Sequence, residues 1–65
     1  MNNQTLINRL IDEISSSYPL TFDQVNFIYR KVGNSIDNTL KCIEYALERN
    51  LDPEWCSQTN DYLNG

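Results

Sequence analysis

The side chains with the chemistry to act on another molecule are the thiols of Cys42 and Cys56 and the carboxylates of Glu44 and Glu48. A thiolate is both a nucleophile and a soft metal ligand. Cys56 follows Trp55 near the start of a predicted helix, where the helix dipole favours the ionised form. A structural zinc site needs four good ligands, however, and the chain contains no histidine. Glu44 and Glu48 fall one helical turn apart, a spacing that could hold a cation or divide acid and base roles. Two like charges at that spacing are more simply a solvated helix face. No glycine loop that would cradle a phosphate, and no nucleophile beside a base, completes either pair. The expectation is two reduced, packed cysteines, an exposed acidic face, no catalytic residue, no metal and no cofactor.

The elements that would position these groups are all helical. Leu6, Ile7, Leu10, Ile11 and Ile14 recur as neighbouring pairs every four residues, which predicts a first helix over about 4–15 after a frayed start at residues 1–3. Asn8, Arg9, Asp12 and Glu13 take its wet side. Ser15, Ser16 and Ser17 weaken it, because their hydroxyls compete for backbone groups, and Pro19 pushes Tyr18 away from helical angles. The loop 16–20 that results carries Tyr18, Pro19 and Leu20, which either close over the core or form part of a binding surface.

The stretch 21–50 then holds two amphipathic helices hinged at Gly33-Asn34. Thr21 and Gln24 have the spacing of a capping box, and Leu20 and Val25 that of a hydrophobic staple. The second helix, 22–32, places Phe22, Val25, Ile28, Tyr29 and Val32 on one face and ends with Arg30 and Lys31 at its negative pole, before Gly33. Phe27 falls off that face. Packing against another helix is its first reading, and exposure in a binding surface its second. The third helix, 35–50, is capped by Asn34 or Ser35 and carries the stripe Ile36, Leu40, Ile43 and Leu47, flanked by Cys42 and Ala46. Asp37 and Lys41 are spaced as a supporting pair. Tyr45 lies opposite the stripe and is expected to be exposed. Asp52-Pro53-Glu54 opens a fourth helix, 53–63, with Trp55, Thr59 and Tyr62 on one side to pack onto the first and third helices.

Composition sets the class. At 65 residues the chain has room for one core, and with 40% hydrophobic residues and only two glycines and two prolines it is too apolar and too periodic for a disordered tail. A chain this short also has little volume in which to enclose a substrate. A net charge of −4, with Arg9, Arg30, Lys31, Lys41 and Arg49 scattered, argues against a protein built to grip phosphates. No apolar run approaches a membrane span, and the first residues lack the pattern of a signal peptide, so a cytoplasmic location is expected. Nine asparagines and the small size suggest an accessory or regulatory protein of a bacterium or phage with an AT-rich genome.

A helix, a short loop with an aromatic residue and a proline, a helix ending in Gly-Asn and a third helix opening on an apolar and an acidic residue together resemble a ubiquitin-associated domain, most closely of the CUE type. The resemblance covers about 6–47 and rests on Tyr18-Pro19, on Val25, Ile28 and Val32, on Gly33-Asn34-Ser35-Ile36-Asp37, and on Thr39, Leu40 and Ile43. It implies an all-α, compact three-helix bundle, here with a short fourth helix packed on it, acting as a protein-interaction module. In that family ubiquitin is held by a loop of methionine, an aromatic and proline, and by paired leucines late in the third helix. Here those positions are Ser17-Tyr18-Pro19 and Ile43-Glu44. A carboxylate against an apolar partner patch is costly, so a protein other than ubiquitin is expected. The candidate partner-binding residues are Tyr18, Pro19, Leu20, Tyr45 and Phe27. Self-association through the fourth helix is left open. The alternative is a helix-turn-helix that binds nucleic acid. Against it stand polar Asn34 after the glycine, where such a turn has an apolar residue, and the acids Asp37, Glu44 and Glu48 on the would-be reading helix.

Overall fold

The computed structural model describes residues 3–64 and is all-α, with helices α1 (Asn3–Ser17), α2 (Phe22–Lys31), α3 (Ile36–Glu48) and α4 (Pro53–Thr59), and a final 3-10 turn (Asp61–Asn64). Asn3 is already helical, so the fraying read at residues 1–3 does not extend to it, and Met1 and Asn2 lie outside the described residues. The helix starts follow local chemistry. Thr21 and Gln24 close the capping box in both directions, the Thr21 oxygen accepting from the Gln24 amide and the Gln24 side chain from the Thr21 amide. Ser35 caps α3 through the Asn38 amide, and Asp52 caps α4 through the Glu54 amide with Pro53 at the first helical position.

α2 and α3 stop at Lys31 and Glu48, short of the expected 32 and 50, and two further helix ends differ from expectation. α1 continues through the serines to Ser17, because their hydroxyls bond back to carbonyls one turn earlier instead of breaking the helix: Ser15 and Ser16 to Asp12, Ser17 to Glu13, at 2.8–3.0 Å. The predicted fourth helix, 53–63, divides at Asn60, which adopts φ 63°, and the 3-10 turn sets off in a new direction. That change buries Tyr62 to 4% exposure, while α4 itself turns Cys56 and Ser57 inward and leaves Trp55, expected on the same inner side as Tyr62, 51% exposed.

The corners after α2 and α3 are closed by the same device. Gly33 (φ 85°) and Asn50 (φ 57°) take left-handed angles, and the next amide reaches back to the helix: Asn34 to the Tyr29 carbonyl at 2.9 Å, Leu51 to the Ala46 carbonyl at 2.8 Å. Glycine or asparagine is what such angles favour.

The core gathers Ile11 and Ile14 from α1, Val25, Ile28, Tyr29 and Val32 from α2 and its cap, Cys42, Ile43 and Ala46 from α3, Cys56 from α4, and Tyr62. Phe22, expected on the inner face of α2, is exposed at its first turn. α3 is rotated from the predicted stripe by roughly a quarter turn at 3.6 residues per turn. Thr39, Cys42, Ile43 and Ala46 are fully buried, while Ile36, Leu40 and Leu47 are only partly so. Small side chains on that face let α2 and α4 approach closely, which outweighs the hydropathy of the larger stripe. Thr39 is tolerated there because its hydroxyl bonds the Ser35 carbonyl at 2.7 Å. α4 packs on α2 and α3, not on α1 and α3 as predicted, and Gln24 and Glu54 link the N-terminal turns of α2 and α4 at 3.4 Å. Among the described residues no helix is long and apolar enough to cross a membrane.

Candidate functional site

α1 ends as the Tyr18 amide bonds the Ile14 carbonyl at 3.1 Å, and a tight turn from the Leu20 amide to the Tyr18 carbonyl (2.7 Å) reverses the chain around Pro19. This places the Tyr18 ring so that its hydroxyl donates to Glu44 Oε2 of α3 at 2.9 Å. The bond raises the Tyr18 phenol above its ordinary value, since ionisation would both break it and set a phenolate beside a carboxylate.

Glu44 faces an open groove of about 370 Å³ formed by the outer side of α3 and the 3-10 turn. Tyr45 forms part of its wall, with the Arg49 guanidinium 4.0 Å from the ring centre, a stacked cation–aromatic contact. Arg49 also lies 3.9 Å from Glu48 and donates to the Tyr45 carbonyl at 3.4 Å. Lys41, Tyr62 and Leu63 complete the lining, the last 57% exposed. The groove thus offers aromatic and apolar surface between charges of both signs. Asp37 and Lys41, predicted to pair, do not; Glu48–Arg49 is the ion pair found among the described residues. A second groove of about 280 Å³ lies between α1 and α3, lined by Leu10, Ile14, Ile36 and Leu40 with Glu13, Ser17 and Tyr18.

Of the residues singled out from the sequence, Tyr18 bonds Glu44 and lines the groove between α1 and α3, while Tyr45 lines the other groove beside Glu44. Pro19 is exposed next to Tyr18. Leu20 packs partly against the core. Tyr45 is half-buried against the core and covered by Arg49, not displayed as expected, because the rotation of α3 turns it inward. Phe27 packs on the core, with Lys31 5.4 Å from its ring centre, and lines neither groove. Arg49, Tyr62 and Leu63 were not singled out. Tyr45 and Arg49 stand four apart on a helix, a spacing that allows stacking, whereas Tyr62 is reached only through the bend at Asn60, for which the asparagine was the sole local signal.

Neither cysteine is placed for chemistry. Both are free and fully buried. The Cys42 thiol donates to the Pro53 carbonyl at 3.4 Å, and burial, with a smaller contribution from Cys56, pushes it up to about 12. Burial also raises Cys56, with Asp61 and Asp52 adding to it and Arg49 opposing, so the start of α4 does not activate this thiol. Neither thiol is expected to react with a disulfide reagent near neutral pH until the chain unfolds. Counting the thiols titrated with and without denaturant checks this; rapid reaction of the native protein would contradict the buried placement. Among the described residues no group of three or more His, Cys, Asp and Glu side chains converges to hold a metal. No family model, curated protein or solved structure matches the chain.

Proposed function

We propose that this chain is a small non-catalytic protein-interaction module of the ubiquitin-associated type, an accessory protein that docks on a larger partner protein. The observation that carries the reading is the outer face of α3, where Tyr45, stacked by Arg49, shares a shallow groove with Glu44 and Glu48, and Glu44 in turn holds the loop residue Tyr18, which lines the neighbouring groove. Aromatic and arginine side chains in such a setting contribute most of the affinity of protein contacts. The two positions that correspond to the family's paired leucines support a partner other than ubiquitin. Ile43 is fully buried and Glu44 is engaged by Tyr18, so neither offers an apolar anchor. The exposed acids Asp37, Glu44 and Glu48 on α3 favour a protein over a nucleic acid as that partner.

Capture of a partner from the cell of origin, with purified binding of that partner as the readout, tests the reading. Tyr45→Ala and Tyr18→Ala are expected to weaken binding by about tenfold or more, the effect of losing a hot-spot side chain, while helical circular dichroism persists. Binding that withstands both substitutions would reject this surface. Salt-sensitive binding to duplex DNA in place of a protein would reject the reading as a whole.

A further inference from the structure

α1 is packed on one side only, chiefly against α2. Its first residues, Asn3–Leu6, are all exposed, and Leu6 is 51% exposed although it lies one turn before Leu10 on the same face. Leu10 in turn lines the apolar groove between α1 and α3, together with Ile14, Ile36 and Leu40. A half-exposed leucine therefore continues, along one helix face, into an apolar groove that the described residues leave open.

The charges on α1 are segregated. Arg9 is its single base and stands in the N-terminal half, while Asp12 and Glu13 follow it toward the C-terminus. The first turn holds no acid and the last turn no base, so among the described residues the helix itself places no charge against its positive pole or its negative pole. A helix whose charges run with its own dipole is complementary to a copy of itself laid antiparallel.

We propose that this chain self-associates through α1. Two copies pair antiparallel about Leu10, the Leu6 side chain of each enters the other's groove beside Ile14, and Arg9 of each lies against Glu13 of the other. The spacing allows it. With the axis at Leu10, Leu6 falls level with the facing Ile14, and Arg9 is offset from the facing Glu13 by about 3 Å along the helix at a rise of 1.5 Å per residue. The two-fold arrangement is closed, so it yields dimers and not chains. The contact is small, and a weak, reversible dimer follows from that.

Sedimentation of the full chain from about 10 μM to about 1 mM is expected to show the mass rising from monomer toward dimer. Leu6→Glu is expected to hold the chain monomeric throughout, with helical circular dichroism and melting retained because the side chain is not part of the core. Arg9→Glu and Glu13→Arg are each expected to weaken dimerisation about two- to tenfold, since two symmetry-related exposed pairs are lost. The double variant, with the charges exchanged, is expected to recover it. Tyr45→Ala should dimerise like the parent, which separates this face from the partner groove. A monomer at every concentration, an undiminished dimer of Leu6→Glu, or a double variant no tighter than its parents would each overturn the proposal.

Discussion

Ile43→Ala is expected to remove most of the chain's stability. Ile43 is fully buried midway along α3, in the core cluster that also takes residues from α1, α2 and α4. Truncating a buried isoleucine costs about 2–5 kcal/mol, the lost transfer energy plus the cavity left behind. At roughly 0.05–0.15 kcal/mol per residue, a chain of this size has only about 3–10 kcal/mol in all. Urea unfolding followed by circular dichroism measures the loss. The control is Leu6→Ala in dilute solution, an exposed site expected to change stability by no more than about 0.5 kcal/mol. A similarly small effect at Ile43 would mean that α3 does not present this face to the core. The position is instructive because the family resemblance gives it to partner binding, whereas here its side chain is spent on the interior.

The second large effect is alkaline loss of stability. In the unfolded chain the Cys42 thiol ionises near its ordinary value of 9.0, while in the folded chain burial, and then repulsion by Cys56, delays ionisation to about 12. Below the lower value both states hold the proton and the stabilisation is fully present. As pH rises through the interval the unfolded state loses protons that the folded state keeps, so stability falls, with a slope that approaches about 1.4 kcal/mol per pH unit for one thiol. Cys56 and Tyr62 are raised by burial as well and act in the same direction. Urea midpoints measured near neutral pH and again above the ordinary thiol range should therefore drop steeply. Cys42→Ala, although weaker at neutral pH because of its cavity, should show a shallower drop. Equal slopes for the two proteins would show that the thiol does not titrate differently on folding.

Helix starts were legible in the sequence because each is fixed by residues only a few positions apart: Thr21 with Gln24, Ser35 ahead of Ile36, Asp52 with Pro53. The stop at Gly33 was legible for the same reason. What periodicity missed was the direction each helix faces. On α3 the large residues Ile36, Leu40 and Leu47 define the strongest stripe, yet Thr39, Cys42 and Ala46 lie deepest, because the distance between helices is set by the smallest side chains at the contact. The end of α1 was misread because a serine hydroxyl can bond a carbonyl within the helix as readily as it can interrupt one. Trp55 shares an inner face with Thr59 and Tyr62 only if the fourth helix runs unbroken to 63, and the bend at Asn60, which delivers Tyr62 to the core, involves a single dihedral that hydropathy does not register. Of the candidate site, the loop pair Tyr18-Pro19 could be read directly. The partner of Tyr18, a carboxylate 26 positions along the chain, could not.

Gly33 with Asn34, then Asn50 and Asn60, take left-handed angles at three corners, which glycine and asparagine adopt at little cost. The turns after α2, α3 and α4 are consequently accessible at low cost before any interior exists, which narrows the conformational search that docks the helices. Such a topology places the rate of folding on the scale of helical bundles, on the order of microseconds to milliseconds. A newly made copy would thus expose its sticky half-formed surfaces only briefly, which suits a molecule whose finished surface still carries a bare leucine near one end.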